Sequence, residues 1–304
     1  MLLAIINEKS LIEKDQILDV ANKSGVSYNK FSILKKDGTN RIIYQPSIAV
    51  RALQKIVYDN ILNQLPVHEA CYAYRKSVSL KDHASVHQHA KYLLRMDFTN
   101  FFESITRNDV EKFSKDVISK VFPQFKNNDY KLLANILCRK DKITIGSVTS
   151  PALSNAICFN LDEKISRVAK YHGVSYTRYA DDLFFSTTKK GVLQLVQKEV
   201  VNIIKKIDYP IFTLNKKKTR HSSKKKRMSV TGLTITVDAK LSIGRDKKRF
   251  IRSQIYQWDK LSLTDRQYLS GYLAFVRSVE PQYINNLCVK YSSELIQSII
   301  RFKV

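Results

Sequence analysis

The chain has 304 residues, of which 44% are hydrophobic, enough for a sizeable core arranged as two domains or as one domain with lobes. Lys and Arg number 52 against 27 Asp and Glu, a formal charge of +25, and an excess of that size points to a polyanion partner. A basic membrane-surface protein is the rival reading, but it would carry an amphipathic basic helix or a lipidation signal, and neither is clear here.

In chain order, Ser10-Leu-Ile-Glu13 forms a capping-box pattern and predicts a short helix ending near Gly25. RIIYQ, from Arg41, predicts a strand before Pro46. Residues 52–65 place Leu53, Ile56, Val57, Ile61 and Leu65 at helical spacing. YLLRMDF, residues 92–98, predicts a buried strand that ends in an aspartate, and Thr106 caps a helix through about residue 120. Ser150 at the N-cap with Pro151 behind it starts a helix that Gly173 ends. A hairpin follows over YTRYADDLFFS, residues 176–186, with Asp181 and Asp182 at its tip. Next come an amphipathic helix over 192–207 and two short strands, FTLN and MSVTGLTITV, separated by a basic loop. Helices run from Arg245 onward, and Pro281 opens the last. This order predicts an α+β fold, an antiparallel sheet with helices on one face rather than a doubly wound parallel sheet.

In such a sheet the end of the 92–98 strand lies beside the hairpin tip, and Asp97 meets Asp181 and Asp182. Two adjacent aspartates are also common at plain turns, where Asp is well tolerated. Carboxylates gathered from separate strands suit a two-magnesium site instead, because hard cations prefer oxygen ligands and bridge to substrate phosphates. The four cysteines, Cys71, Cys138, Cys158 and Cys288, contain no CxxC pair, which argues against a zinc ribbon and requires no disulfide. MLLAII is too short for a signal-peptide core, and no run approaches the ~18 apolar residues that span a bilayer. A cytoplasmic, soluble chain without a membrane partner is expected.

Six stretches in order are similar to the reverse transcriptases, and within them to the bacterial retron type. RIIYQPSIAVRALQ resembles the first fingers motif of that family, LLRMDFTNFFESI the palm motif with the first catalytic aspartate, and IGSVTSPALSN the template- and nucleotide-positioning motif. YADD resembles its second metal-binding motif, LNKKKT the motif after the palm helix, and VTGL the primer grip, including the VTG triplet typical of retrons. The resemblance covers about residues 41–252. It implies a right-hand polymerase: an N-terminal helix and fingers over 1–90, a ferredoxin-like palm over 91–237 with a fingers excursion at about 120–150, and a helical thumb over 238–304.

Carried onto this sequence, the resemblance implies that Asp97, Asp181 and Asp182 are catalytic and hold two Mg²⁺ ions, with Mn²⁺ as a substitute. Asp97 and Asp181 would be the direct ligands of both, and the Phe98 carbonyl would complete the shell and contact the triphosphate. Phe102 matches the steric gate that excludes a 2′-hydroxyl; a core aromatic like Phe101 is the rival reading. Arg41 and Arg51 match basic positions near the triphosphate, Arg being suited to phosphate by its planar fork, although either could be a solvated surface charge. Gly146 matches the positioning motif. Lys218 matches a lysine that protonates the leaving pyrophosphate, with Lys216 and Lys217 competing for that role.

There are two departures. Ile145 stands where the family carries Gln before its glycine, and His83 stands where retrons carry Asn in an Asn-Ala-x-x-His pattern, Ala84 and His87 matching. A zinc site on His83, His87 and His89 lacks a fourth ligand nearby. Residues 216–227, KKKTRHSSKKKR, hold eight Lys or Arg and no acid: Lys216, Lys217, Lys218, Arg220, Lys224, Lys225, Lys226 and Arg227. They read as a solvated arm or as contacts to a nucleic-acid backbone. Gly232 in VTGL and Arg245, Lys248 and Arg252 in GRDKKRFIRSQIYQW extend that expected nucleic-acid surface. Tyr256 and Trp258 are interleaved there, although Ile251, Ile255 and Trp258 also have the spacing of a helix core stripe.

The function so implied is RNA-directed DNA synthesis from deoxynucleoside triphosphates on the chain's own structured noncoding RNA. The primer would be an RNA 2′-hydroxyl, leaving a branched RNA–DNA. A role in phage defence would need an effector protein in trans, 304 residues leaving little room for one. The alternatives are a group II intron or diversity-generating reverse transcriptase, or a non-catalytic RNA-binding protein of the same fold.

Overall fold

Ten strands form among the described residues of the computed structural model, which describes residues 1–34 and 38–302. They are β1 (Tyr28–Leu34), β2 (Asn40–Pro46), β3 (Tyr92–Thr99), β4 (Ser175–Tyr179), β5 (Asp182–Thr187), β6 (Thr213–Leu214), β7 (Arg220–Ser223), β8 (Met228–Val230), β9 (Leu233–Ile235) and β10 (Leu241–Ser242). β1 and β2 pair as an antiparallel hairpin, Tyr28 opposite Pro46. The main sheet runs β4-β5-β3-β6, with β7 also on β3, and β10-β9-β8 form a separate antiparallel sheet. The fold is α+β, as expected.

The chain divides into two compact units. One comprises 1–76, 95–183 and 194–219; the other comprises 77–94, 184–193 and 220–304. In the first, helix Ile48–Asn60 buries Leu53 and Val57, and Gln54 lies beside them without solvent. Its amide is satisfied on both sides: Nε2 donates to Tyr28 Oη (2.9 Å) and Ile136 O (3.0 Å), and Oε1 accepts from Ser147 Oγ (3.0 Å). A buried amide needs such partners to offset its desolvation. In the second unit, helices Arg245–Tyr256, Leu263–Val279, Pro281–Tyr291 and Ser293–Ile300 bury Ile251, Ile255, Leu269, Leu273, Leu287 and Ile296. No helix among the described residues is long and apolar enough to cross a membrane.

Local capping explains where the elements differ from expectation. Ser10 starts no helix. It ends Leu2–Ser10, its hydroxyl donating back to Ile6 O, and Leu11 at φ 57° closes the turn before Lys14–Lys23. Thr106 does cap Arg107–Phe113, in a capping box with Asp109. Thr149, not Ser150, is the N-cap of Ser150–Ile157, because the Ser150 hydroxyl donates to Thr144 O (2.8 Å). That helix breaks at Cys158 and resumes as Phe159–Tyr171. MSVTGLTITV is a hairpin rather than one strand, since Thr231 and Gly232 both take positive φ (45° and 87°) and turn β8 into β9.

Candidate active site

β3 is buried along most of its length, and Asp97 near its end is 1% exposed. β6 clamps that end: Phe98 pairs with Leu214, and Asn215 N donates to Asp97 O (2.8 Å). β4 and β5 are joined by Ala180 and Asp181, with Ala180 left-handed at φ 55°. Phe98 N donates to Asp181 O (3.0 Å), which ties the turn to the end of β3. Two aspartates distant in sequence thus become backbone neighbours. Burial, first, and the Asp97 charge push the Asp181 carboxyl above its usual range, while Lys218 and Arg41 pull it down. Lys218 Nζ lies 3.0 Å from both Asp97 oxygens, and Lys216 and Lys217 are exposed. Of these three lysines, Lys218 is the one on the carboxylate.

Asp182 behaves differently from its neighbour. As the first residue of β5 it gives both oxygens to Arg95, whose Nε and Nη2 donate at 2.9 and 2.7 Å. Burial nonetheless outweighs Arg95 and raises its carboxyl to about 6. Among the described residues no three His, Cys, Asp or Glu side chains converge as a ready-made metal cage. Asp97 and Asp181 still fit hard cations. They are two crowded oxygen donors, one raised by burial and by its neighbour's charge, and a lysine ammonium already stands on the other.

A buried ion pair supports the turn. Arg178 in β4 and Asp162 in helix Phe159–Tyr171 are both 0% exposed and meet at 2.7–3.0 Å. Tyr176 Oη donates to Asp162 (2.7 Å), and Arg178 Nη1 donates to Ala180 O (3.3 Å), inside the aspartate turn. Sequence reading missed this pair. Its one signal was a lone cation in a short strand whose other residues, Ser175, Tyr176, Thr177 and Tyr179, are uncharged.

Phe98, Phe101 and Phe212 stack with ring centroids 4.7–5.8 Å apart, and Phe98 and Phe101 are buried. Phe102 is half-buried, 5.4 Å from the Phe101 ring and 6.5 Å from that of Tyr74, so it stands at the edge of this cluster and not inside it. Gly146 sits at φ 103°, where a Cβ would fall 2.6 Å from Tyr44 O. Ile145 contributes through its backbone, its carbonyl accepting from Tyr44 N (2.9 Å). Arg41 and Arg51 are exposed, and Arg51 lines a cavity of about 480 Å³.

The expected nucleic-acid residues divide by their partners. Lys216, Lys217, Arg220, Lys225, Lys226 and Arg245 are exposed, and Gly232 lies at the β8–β9 turn. Lys224 Nζ donates to Val237 O (3.2 Å), and Arg227 stands 3.7 Å from Asp246. Lys248 is committed to the Glu280 carboxylate and lies over the Tyr283 ring, which Arg252 also contacts. His83 and His87 are buried against Phe184. His87 Nδ1 is 2.8 Å from Ser186 Oγ, and His83 Nδ1 is 3.3 Å from Thr231 Oγ1. Burial lowers their pKa values to about 3 and about 4.

The family model described as reverse transcriptase (RNA-dependent DNA polymerase) matches residues 33–235. The retron Ec83 reverse transcriptase of Escherichia coli is 33% identical over 93% of this chain and 94% of that protein. The chain belongs to the reverse transcriptases of the retron type. As a reverse transcriptase it is an RNA-directed DNA polymerase, of a family that generally uses divalent metal ions. The retron Ec73 reverse transcriptase of Escherichia coli is 31% identical over 96% of this chain and 95% of its own length. Among solved structures, a telomerase from Candida albicans in complex with a TWJ fragment of telomeric RNA matches with a TM-score of 0.53 at 10% identity. That match covers 91% of this chain and 66% of the telomerase chain, and it bears on the fold.

Proposed function

We propose that this reverse transcriptase copies its own structured noncoding RNA into DNA, primed from an RNA 2′-hydroxyl, and leaves a branched RNA–DNA used in phage defence with an effector in trans. The observation that carries the catalytic part is the backbone bond from Phe98 N to Asp181 O, which sets Asp97 and Asp181 side by side. In this reading Asp97, Asp181 and the Phe98 carbonyl hold two Mg²⁺ ions, which when bound would activate the attacking hydroxyl and steady the leaving oxygen. Asp182 is held by Arg95 and contributes charge near the site.

The remaining steps belong to the chain's own groups. Arg41 and Arg51 bind the triphosphate of the incoming deoxynucleotide, and Gly146, whose lack of a side chain lets it pack against the Tyr44 carbonyl, holds the positioning loop beside it. Lys218 moves from Asp97 to the leaving pyrophosphate and donates its proton there; general acid help of this kind is worth ~10²–10⁴ in rate. The half-buried edge position of Phe102 supports a gate role, since a fully buried ring could not meet a sugar. Residues 1–90 and the 120–150 excursion serve as fingers, the remainder of 91–237 as palm and 238–304 as thumb. The exposed cations Lys216, Lys217, Arg220, Lys225, Lys226 and Arg245 contact nucleic-acid backbone.

Expression with the native flanking DNA tests this directly. A discrete DNA that copurifies, is joined to RNA and is released by a debranching enzyme is the expected product. Unbranched RNA alone, with activity only on added primer, would overturn the 2′-priming.

A further inference from the structure

Tyr74 has no role in the account above, yet its placement is unusual. Its backbone is left-handed, φ 58°, a conformation that residues bearing a Cβ adopt only at a steric cost. The surrounding segment holds it there. Tyr72 N donates to Arg178 O (2.8 Å) and Asn155 Nδ2 donates to Ala73 O (2.8 Å). Arg75 Nη1 reaches back to Cys71 O (3.0 Å). Strain that neighbours over-determine tends to collect where function needs a group held out of its resting geometry. What this segment holds out is a large ring that stays 52% exposed.

Two further observations say what the ring faces. Its centroid is 6.5 Å from that of Phe102, tilted by 42°. Tyr74 also lines the cavity of about 480 Å³ together with Arg51, Lys55, Tyr58, Val148 and Pro151, whereas Phe102 is not among the lining residues. That volume is in the range of small-molecule sites. Its two cations and two phenol rings suit a ligand with phosphates and a flat base and sugar. Burial first and then the Asp181 charge raise the Tyr74 phenol, with Arg41 opposing, so the ring stands within reach of both charges.

We propose that Tyr74 is a specificity-determining residue for the incoming deoxynucleoside triphosphate: its ring is a surface on which the sugar packs, beside the Phe102 ring, and its hydroxyl donates to a phosphate oxygen. This rests on the nucleotide-site reading given above and deepens it. An added 2′-hydroxyl is then rejected by a pair of rings, Tyr74 and Phe102.

The test is single-nucleotide incorporation on a primed RNA template, deoxy against ribo, for the wild-type chain, Tyr74→Phe and Tyr74→Asn. Phe keeps the ring. The expected result is a KM for the deoxynucleotide raised about five-fold, as for one lost hydrogen bond, with deoxy-over-ribo discrimination unchanged. Asn tolerates the left-handed backbone but removes the ring. Discrimination should fall about ten-fold or more, with matched RNA binding and melting temperature. If Tyr74→Asn does not fold, Tyr74→Gly replaces it, since glycine suits the same φ.

An unchanged KM in Tyr74→Phe overturns the hydroxyl contact. Equal loss for both nucleotides, or unchanged discrimination, in the ring-less variant overturns the packing surface. A wild-type chain that does not discriminate at all would remove the nucleotide-site reading itself, and the proposal with it.

Discussion

Arg178 and Asp162 form a bidentate ion pair from which solvent is fully excluded, and the same guanidinium reaches Ala180 O in the turn that carries Asp181. Removing one partner of such a pair leaves a buried charge uncompensated, which costs about 3–5 kcal/mol. Arg178→Met and Asp162→Asn should each lower the free energy of unfolding from urea titration by that amount at neutral pH. The double variant Arg178→Met/Asp162→Leu should lose less than the sum, because no orphan charge remains. Additive losses would contradict the coupling.

Gly146 and Gly232 both sit at positive φ but differ in surroundings. A Cβ on Gly146 would fall 2.6 Å from the Tyr44 carbonyl, and one on Gly232 meets nothing within 4 Å. Gly146→Ala should therefore cost about 2 kcal/mol or more and depress DNA synthesis, because backbone must move. Gly232→Ala should cost only the left-handed strain of about 1–2 kcal/mol. Thermal melts of the two variants, run together, check the ranking.

His83 and His87 are buried neutral, with pKa values pushed down to about 4 and about 3 from an ordinary 6.5. An unfolded chain takes up their protons below about pH 6.5, whereas the folded chain does not until far lower. The stability from keeping them neutral is therefore fully present above pH 6.5 and drains away as pH falls toward 4. Once pH has fallen through the folded values the loss amounts to about 3 kcal/mol for His83 and about 5 kcal/mol for His87. His83→Asn, which restores the retron pattern at that position, should flatten the decline between pH 6.5 and 4. An unchanged slope in pH-dependent unfolding would contradict the burial account.

Lys218 should separate from its neighbours in kinetics. Lys218→Ala is expected to slow single-turnover incorporation by about 10²-fold or more, while Lys216→Ala and Lys217→Ala, on exposed side chains, weaken nucleic-acid binding and leave the chemical step alone. Similar slowing in all three would assign the effect to charge in general.

Much of the site was legible because its signals are local. A buried strand that ends in aspartate and a hairpin with Asp181 and Asp182 at its tip predict that Asp97 meets both; the turn holds Asp181, while Asp182 opens β5, and Thr106 announces its own helix. What stayed hidden depends on partners far along the chain. Lys248 stands in a basic run, and nothing near it in sequence announces the Glu280 carboxylate that folding brings to its ammonium. Asp182 carries no sequence signal for Arg95 on the adjacent strand, which donates to both its oxygens. The left-handed Tyr74 is held through its neighbours, Tyr72 N donating to Arg178 O and Ala73 O accepting from the Asn155 side chain, which no nearby residue signals. Ser10 misleads for the opposite reason, since its hydroxyl serves the preceding helix equally well.

The most direct measurement is deoxynucleotide incorporation on a primed RNA template by the wild-type chain, Asp97→Asn and Asp181→Asn, with RNA binding measured on the same samples. The account predicts DNA synthesis by the wild type, loss of at least about 10³-fold in both variants as expected for removing charge at a metal site, and retained RNA binding. Incorporation by Asp181→Asn at the wild-type rate would contradict it.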